Sequence, residues 1–133
     1  MTEKTKHLQE RINTYFLDSD AVITLTYRDK GAKNSYQSGE HLHNLLVKTR
    51  RLCRRKRCPL RYMGITHWGV RVHFHLVVNR EAAGLVAAVW SAEHGAALVK
   101  PLGENRIRAA EWLVETGRIC DKVIEGGLPR DKL

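Results

Sequence analysis

Hydrophobic positions change their period several times along the 133 residues, and each change marks an element. Leu8, Ile12, Tyr15 and Phe16 recur at helical spacing, which predicts a helix from residue 3 to about residue 18. From Ala21 to Tyr27 the period shortens to two, with Ile23 and Leu25 on one side of a strand and Thr24 and Thr26 on the other. Residues 29–39 are polar and contain glycine, so they read as a loop. Ser38 suits a helix cap ahead of Glu40. Leu42, Leu45, Leu46, Thr49, Leu52 and Cys53 then restore the 3.6-residue period up to Pro59, which ends the helix. Two strands follow, at about 61–67 and 71–79, and Trp68, Gly69 and Val70 are few enough to turn an antiparallel hairpin. Glu81 to Ala92 is an alanine-rich helix carrying Leu85, Val86, Val89 and Trp90. Ala96 to Leu102 predicts a strand, with Pro101 placing it at a sheet edge or strand end. Glu104 to Thr116 predicts a helix stopped at Gly117, with Ile107, Ala110, Leu113 and Val114 as its buried stripe and Trp112 on a different face. Residues 118–133 read as a docked apolar segment followed by a loose tail.

Strand, helix, strand, strand, helix, strand is the split pattern of a ferredoxin-like α+β fold. An antiparallel βαββαβ sheet would carry helices on one face and leave the other open, with an extra helix at the N-terminus and another near the C-terminus. Length predicts one domain over 1–133, of which 1–20 form the N-terminal helix and 118–133 a C-terminal extension.

Composition adds a partner class and removes several others. The formal net charge is +9, and from Lys48 to Arg61 no acidic residue interrupts the chain. Lys48, Arg50, Arg51, Arg54, Arg55 and Arg57, with Arg71 further on, form the electrostatic footprint expected for a nucleic-acid backbone. The three cysteines contain no Cys-x-x-Cys pair, which argues against a zinc ribbon or a disulfide framework and for a reducing cytoplasmic compartment. No apolar run is long enough to span a bilayer, and residues 2–10 are too polar for a signal peptide.

The candidate chemistry lies in the segment Arg71 to Asn79. Alternation puts Val72, Phe74, Leu76 and Val78 on one face of a strand and Arg71, His73, His75, Val77 and Asn79 on the other. Two imidazoles side by side on a rigid element, with His67 six residues upstream on the neighbouring strand, supply the donor types that a divalent metal takes.

Leu25 to Tyr27, the basic helix, Arg61 to Gly69 and Val72 to Asn79 together resemble the His-hydrophobic-His (HUH) endonuclease superfamily. More narrowly, they are similar to the rolling-circle replication-associated proteins of phages and plasmids. The resemblance covers roughly Val22 to Glu115. It implies a divalent ion, manganese or magnesium, held by His67, His73 and His75, with His67 standing where many relatives have an acidic ligand. It also implies a tyrosine that attacks the scissile phosphate of single-stranded DNA from a helix after the last strand. The relatives read approximately Tyr-Leu-x-Lys there, whereas this chain has Trp112, Leu113, Val114 and Glu115. All four tyrosines precede the histidine pair. Tyr15 remains a candidate because relaxases of the superfamily carry their tyrosine near the N-terminus. Two expectations therefore stand. One is a metal-dependent nickase or nuclease. The other is a catalytically silent relative that binds single-stranded or structured DNA or RNA, or a ribonucleoprotein of a host defence system, as a phage or mobile-element regulator.

Overall fold

A computed structural model describes residues 3–29, 31–32, 34–68, 71–113 and 123–129. Four helices and five strands run in the order α1 (Glu3–Tyr15), β1 (Ala21–Tyr27), α2 (Ser35–Lys56), β2 (Tyr62–His67), β3 (His73–Val78), α3 (Arg80–Glu93), β4 (Gly95–Pro101), α4 (Arg106–Leu113) and β5 (Ile124–Gly126), with a short 3-10 turn at Gly103–Asn105. The strands form one sheet in the order β4-β1-β3-β2-β5, and every pairing is antiparallel. This is the α+β, ferredoxin-like arrangement expected from the alternation of periods. β4 is an edge strand, and its last residue is Pro101, which has no N–H for a further strand.

Period-two alternation gives the sheet two apolar faces. Ile23, Leu25, Phe74, Leu76 and Val78 pack with Leu42, Leu45 and Leu46 of α2 and with Val86 and Trp90 of α3. The buried Trp90 indole donates Nε1–H to the Thr26 carbonyl at 3.0 Å, so its one polar atom is satisfied while its rings fill the core. Val22, Met63, Ile65 and Val77 on the other face meet Leu8, Ile12 and Phe16 of α1 and Ala109, Ala110 and Leu113 of α4. The helices of the βαββαβ unit thus share one face, and α1 and α4 lie over part of the second, which sequence alone had left open. The uncovered part is the end where β2 finishes and β3 begins.

Several boundaries differ from expectation, each for a local reason. The cap of α2 is Asn34, not Ser38: Asn34 Oδ1 accepts the Gln37 N–H at 2.9 Å, and Ser38 is buried inside the helix. At the other end Arg57 takes a left-handed conformation (φ 57°), and its N–H and that of Cys58 return to carbonyls of the last turn before Pro59. α1 ends at Tyr15, earlier than expected, because Asp20 Oδ2 takes the Leu17 N–H at 2.7 Å and turns the chain into β1. α4 starts at Arg106, and Ile107, assigned to its buried stripe, is 54% exposed; the stripe runs through Ala109, Ala110 and Leu113. Val114 and Glu115 lie outside the described residues, as does the tail from residue 130.

The C-terminal extension contributes a strand that periodicity missed. β5 pairs with β2 over Tyr62–Gly64. Its Glu125 receives both Nε–H and Nη2–H of Arg11 at 2.7 Å, which ties the strand to α1. Arg11 is buried, so this paired fork matters more than a surface ion pair would.

Candidate functional site

Register across the hairpin brings the three histidines together. His67 sits opposite His73, and Ile65 opposite His75, on β2 and β3, while Thr24 and Thr26 of β1 face His75 and His73 from the other side. Ring centroids are 4.9 Å apart for His73 and His75, 5.1 Å for His67 and His75, and 5.3 Å for His67 and His73, whose planes are nearly parallel. Each ring has one nitrogen engaged by oxygen. His67 donates Nε2–H to the Trp112 carbonyl at 2.7 Å, and His73 donates Nδ1–H to the Arg71 carbonyl at 3.2 Å. A carbonyl only accepts, so these contacts set the tautomers of the neutral rings and leave lone pairs on His67 Nδ1 and His73 Nε2. Thr24 Oγ1 lies 3.2 Å from His75 Nδ1. Burial, with His73 and His67 beside it, holds the His75 imidazole down at about 3, so it is neutral through the physiological range.

Trp112 completes the cluster. Its ring stacks on His75 at 4.6 Å and 17°, while its backbone carbonyl orients His67. The sequence placed Trp112 off the buried stripe; only the packing of α4 over the sheet shows what it covers. Beside these rings a cleft of about 330 Å³ is lined by Thr24, Thr26, Tyr27, Asp29, Gly31, Arg71, Val72, His73 and His75.

The donor set is of the kind a divalent ion takes, and hydrogen bonds on the second ring nitrogen are what metal-bound histidines usually carry. Their disposition does not match: among the described residues no three His, Cys, Asp or Glu side chains stand as a metal-ligand set.

The other expected residues divide between two sides of the sheet. Arg71 lines the cleft. Lys48, Arg50, Arg51, Arg54 and Arg55 lie on α2 and Arg57 at its end, on the layer of helices across the sheet from the histidines. Among the described residues no tyrosine replaces the missing nucleophile. Tyr15 packs against the second core under the Arg11 guanidinium, 5.2 Å from its ring centre. Tyr27 does line the cleft, but burial pushes its phenol up to about 12 and its hydroxyl donates to His41 Nδ1 at 2.8 Å. Tyr62 is buried, and Tyr36 is exposed near the start of α2.

A five-stranded antiparallel sheet with a histidine-bearing hairpin, backed by two helices and flanked by two more, defines the structural class. Residues 20–119 match the model of the replication-associated protein ORF2 family, and the chain belongs to that family. Neither a curated protein nor a solved structure matches it. No helix among the described residues is long and apolar enough to cross a membrane.

Proposed function

We propose that this replication-associated protein binds single-stranded nucleic acid at the histidine end of its sheet, in a cleft descended from that of the HUH nickases. The observation that carries the proposal is the Trp112–His75 stack beside His67 and His73, with Arg71 on the wall of the adjoining cleft. Single-strand sites combine aromatic faces for the bases with cations for the backbone, and these residues supply both. His75 is held neutral, so it offers a ring face and a hydrogen-bonding nitrogen in place of a charge.

Covalent chemistry does not follow from the same residues. An indole has no nucleophilic oxygen, and Tyr27, the tyrosine on the cleft, keeps its proton. A divalent ion, if the rings turned to receive it, would supply Lewis-acid polarisation of a phosphate. No step is derived through it, because the side chains do not converge as they stand. Family membership, the cleft and the missing phenol together favour a binder over a nickase.

The test is a titration of labelled single-stranded DNA, single-stranded RNA and duplex DNA, in EDTA and then in manganese or magnesium. A preference for single strands that is lost in Arg71→Ala and Trp112→Ala is the expected result. Unchanged affinity in both folded variants would remove the cleft from the binding surface. A denaturant-resistant DNA-linked band would show tyrosyl chemistry and overturn the non-covalent reading. Thermal unfolding with and without manganese addresses the ion separately: a shift that disappears in His73→Ala/His75→Ala would place a metal there.

A further inference from the structure

Across the sheet from the histidine cleft, the basic stretch of α2 borders an apolar groove shared with α3. Leu52, Ala88, Val89 and Ala92 form its floor and Lys48, Arg51 and Arg55 its rim, around a volume of about 430 Å³. Arg51 and Arg55 are exposed, and among the described residues neither has an ion-pair or hydrogen-bond partner. Lys48 pairs with Glu93 on α3. Spacings of three and four residues put Lys48, Arg51 and Arg55 on one helical stripe roughly 10 Å long.

We infer that this groove docks an acidic amphipathic helix of a partner protein. Its apolar face would lie on Leu52 and Val89, with carboxylates against Arg51 and Arg55 and, displacing Glu93, against Lys48. Charge and hydrophobicity argue for this occupant jointly. A phosphate backbone would satisfy the cations but set anionic oxygens over a floor with no polar group to meet them. A purely apolar segment would cover the floor and leave the guanidiniums without counter-charge. An acidic amphipathic helix matches both, as in helix-in-groove recognition. The inference is independent of the proposed nucleic-acid site, since the two surfaces lie on different sides of the sheet and can be filled together.

The test uses the full chain and a synthetic helical peptide with leucines at i, i+4 and i+7 flanked by glutamates. A version with lysine for glutamate and a scrambled acidic version serve as controls. Anisotropy gives affinity, and amide NMR shifts locate the contact. The acidic amphipathic peptide should bind, with shifts centred on Leu52, Arg55 and Val89. Arg51→Glu/Arg55→Glu should weaken it by roughly tenfold, the effect of turning exposed charge pairs repulsive, and should gain affinity for the lysine peptide. Ala88→Glu, at an exposed position, should also weaken binding without disturbing the fold. Equal binding of the scrambled peptide, shifts elsewhere, or no binding would overturn the inference. So would displacement of the peptide by a single-stranded oligonucleotide that shifts the same residues, which would assign the groove to nucleic acid.

Discussion

Replacing Asp20 by alanine should remove a junction on which the arrangement of three elements rests. Asp20 is 1% exposed, between the end of α1 and the start of β1. Its Oδ2 accepts the Leu17 N–H at 2.7 Å and its Oδ1 the Arg80 N–H at 2.8 Å, in the first turn of α3. Asn79, the residue before α3, makes no side-chain cap bond; its side chain joins Pro59 and Arg61 instead, so Asp20 caps α3 from a distance. Alanine leaves two backbone donors without these acceptors. A buried donor left unsatisfied costs about 1–3 kcal/mol, so the expected loss is about 2–5 kcal/mol. That is a large share of the roughly 5–15 kcal/mol by which such domains are stable. Asp20→Asn keeps one acceptor oxygen and should lose about half as much. Urea unfolding followed by circular dichroism measures the change as a shift in midpoint at constant slope. A loss below about 1 kcal/mol for Asp20→Ala would show that water replaces the carboxylate and that the junction is not what orients α3.

Trp112→Ala should weaken single-strand binding by about 1–3 kcal/mol, the usual worth of one base–aromatic stack, whereas Trp112→Phe should retain most of it; anisotropy at fixed salt distinguishes them. The alanine variant keeps the backbone carbonyl of residue 112 that orients His67, so a larger loss would mean that the indole holds the cluster as well as the ligand. Acid should expose His75: its pKa is depressed in the fold, so below about 6.5 the unfolded chain takes up a proton that the native state refuses until near 3. Its contribution is present above that range and lost as pH falls, by at most about 1.4 kcal/mol per unit, and His75→Gln should flatten the stability–pH curve over that window. Gly95→Ala should be strongly destabilising, because a Cβ there would overlap the backbone of Thr26 and Tyr27 where β4 meets β1. Wild-type melting behaviour in that variant would require β4 to sit farther from β1 than described.

Much of this protein was legible in residue order because its strands and helices announce themselves through local periods. Ile23 and Leu25 against Thr24 and Thr26, or Phe74 and Leu76 against His73 and His75, are separated by the strand geometry itself, whatever surrounds them. The hairpin register could also be read in outline. Only Trp68, Gly69 and Val70 stand between His67 and Arg71, which leaves few ways to pair the strands, and the pairing of His67 with His73 follows. β5 was not legible: Ile124–Gly126 is too short to show a period, and what fixes it is Glu125 reaching Arg11, more than a hundred residues away in sequence.

The same division holds for the candidate site. Sequence alone determined the kind of chemistry available, three imidazoles near one hairpin, a basic helix and no tyrosine after the histidine pair, because these depend only on residue identity and spacing. Tertiary structure decided how they are used. It stacked Trp112 on His75, placed Arg71 beside the cleft and put the cations of α2 on the other side of the sheet. Those outcomes depend on how helices cross the sheet, which is set by side chains far apart in the chain packing to exclude water, and no local period carries that information.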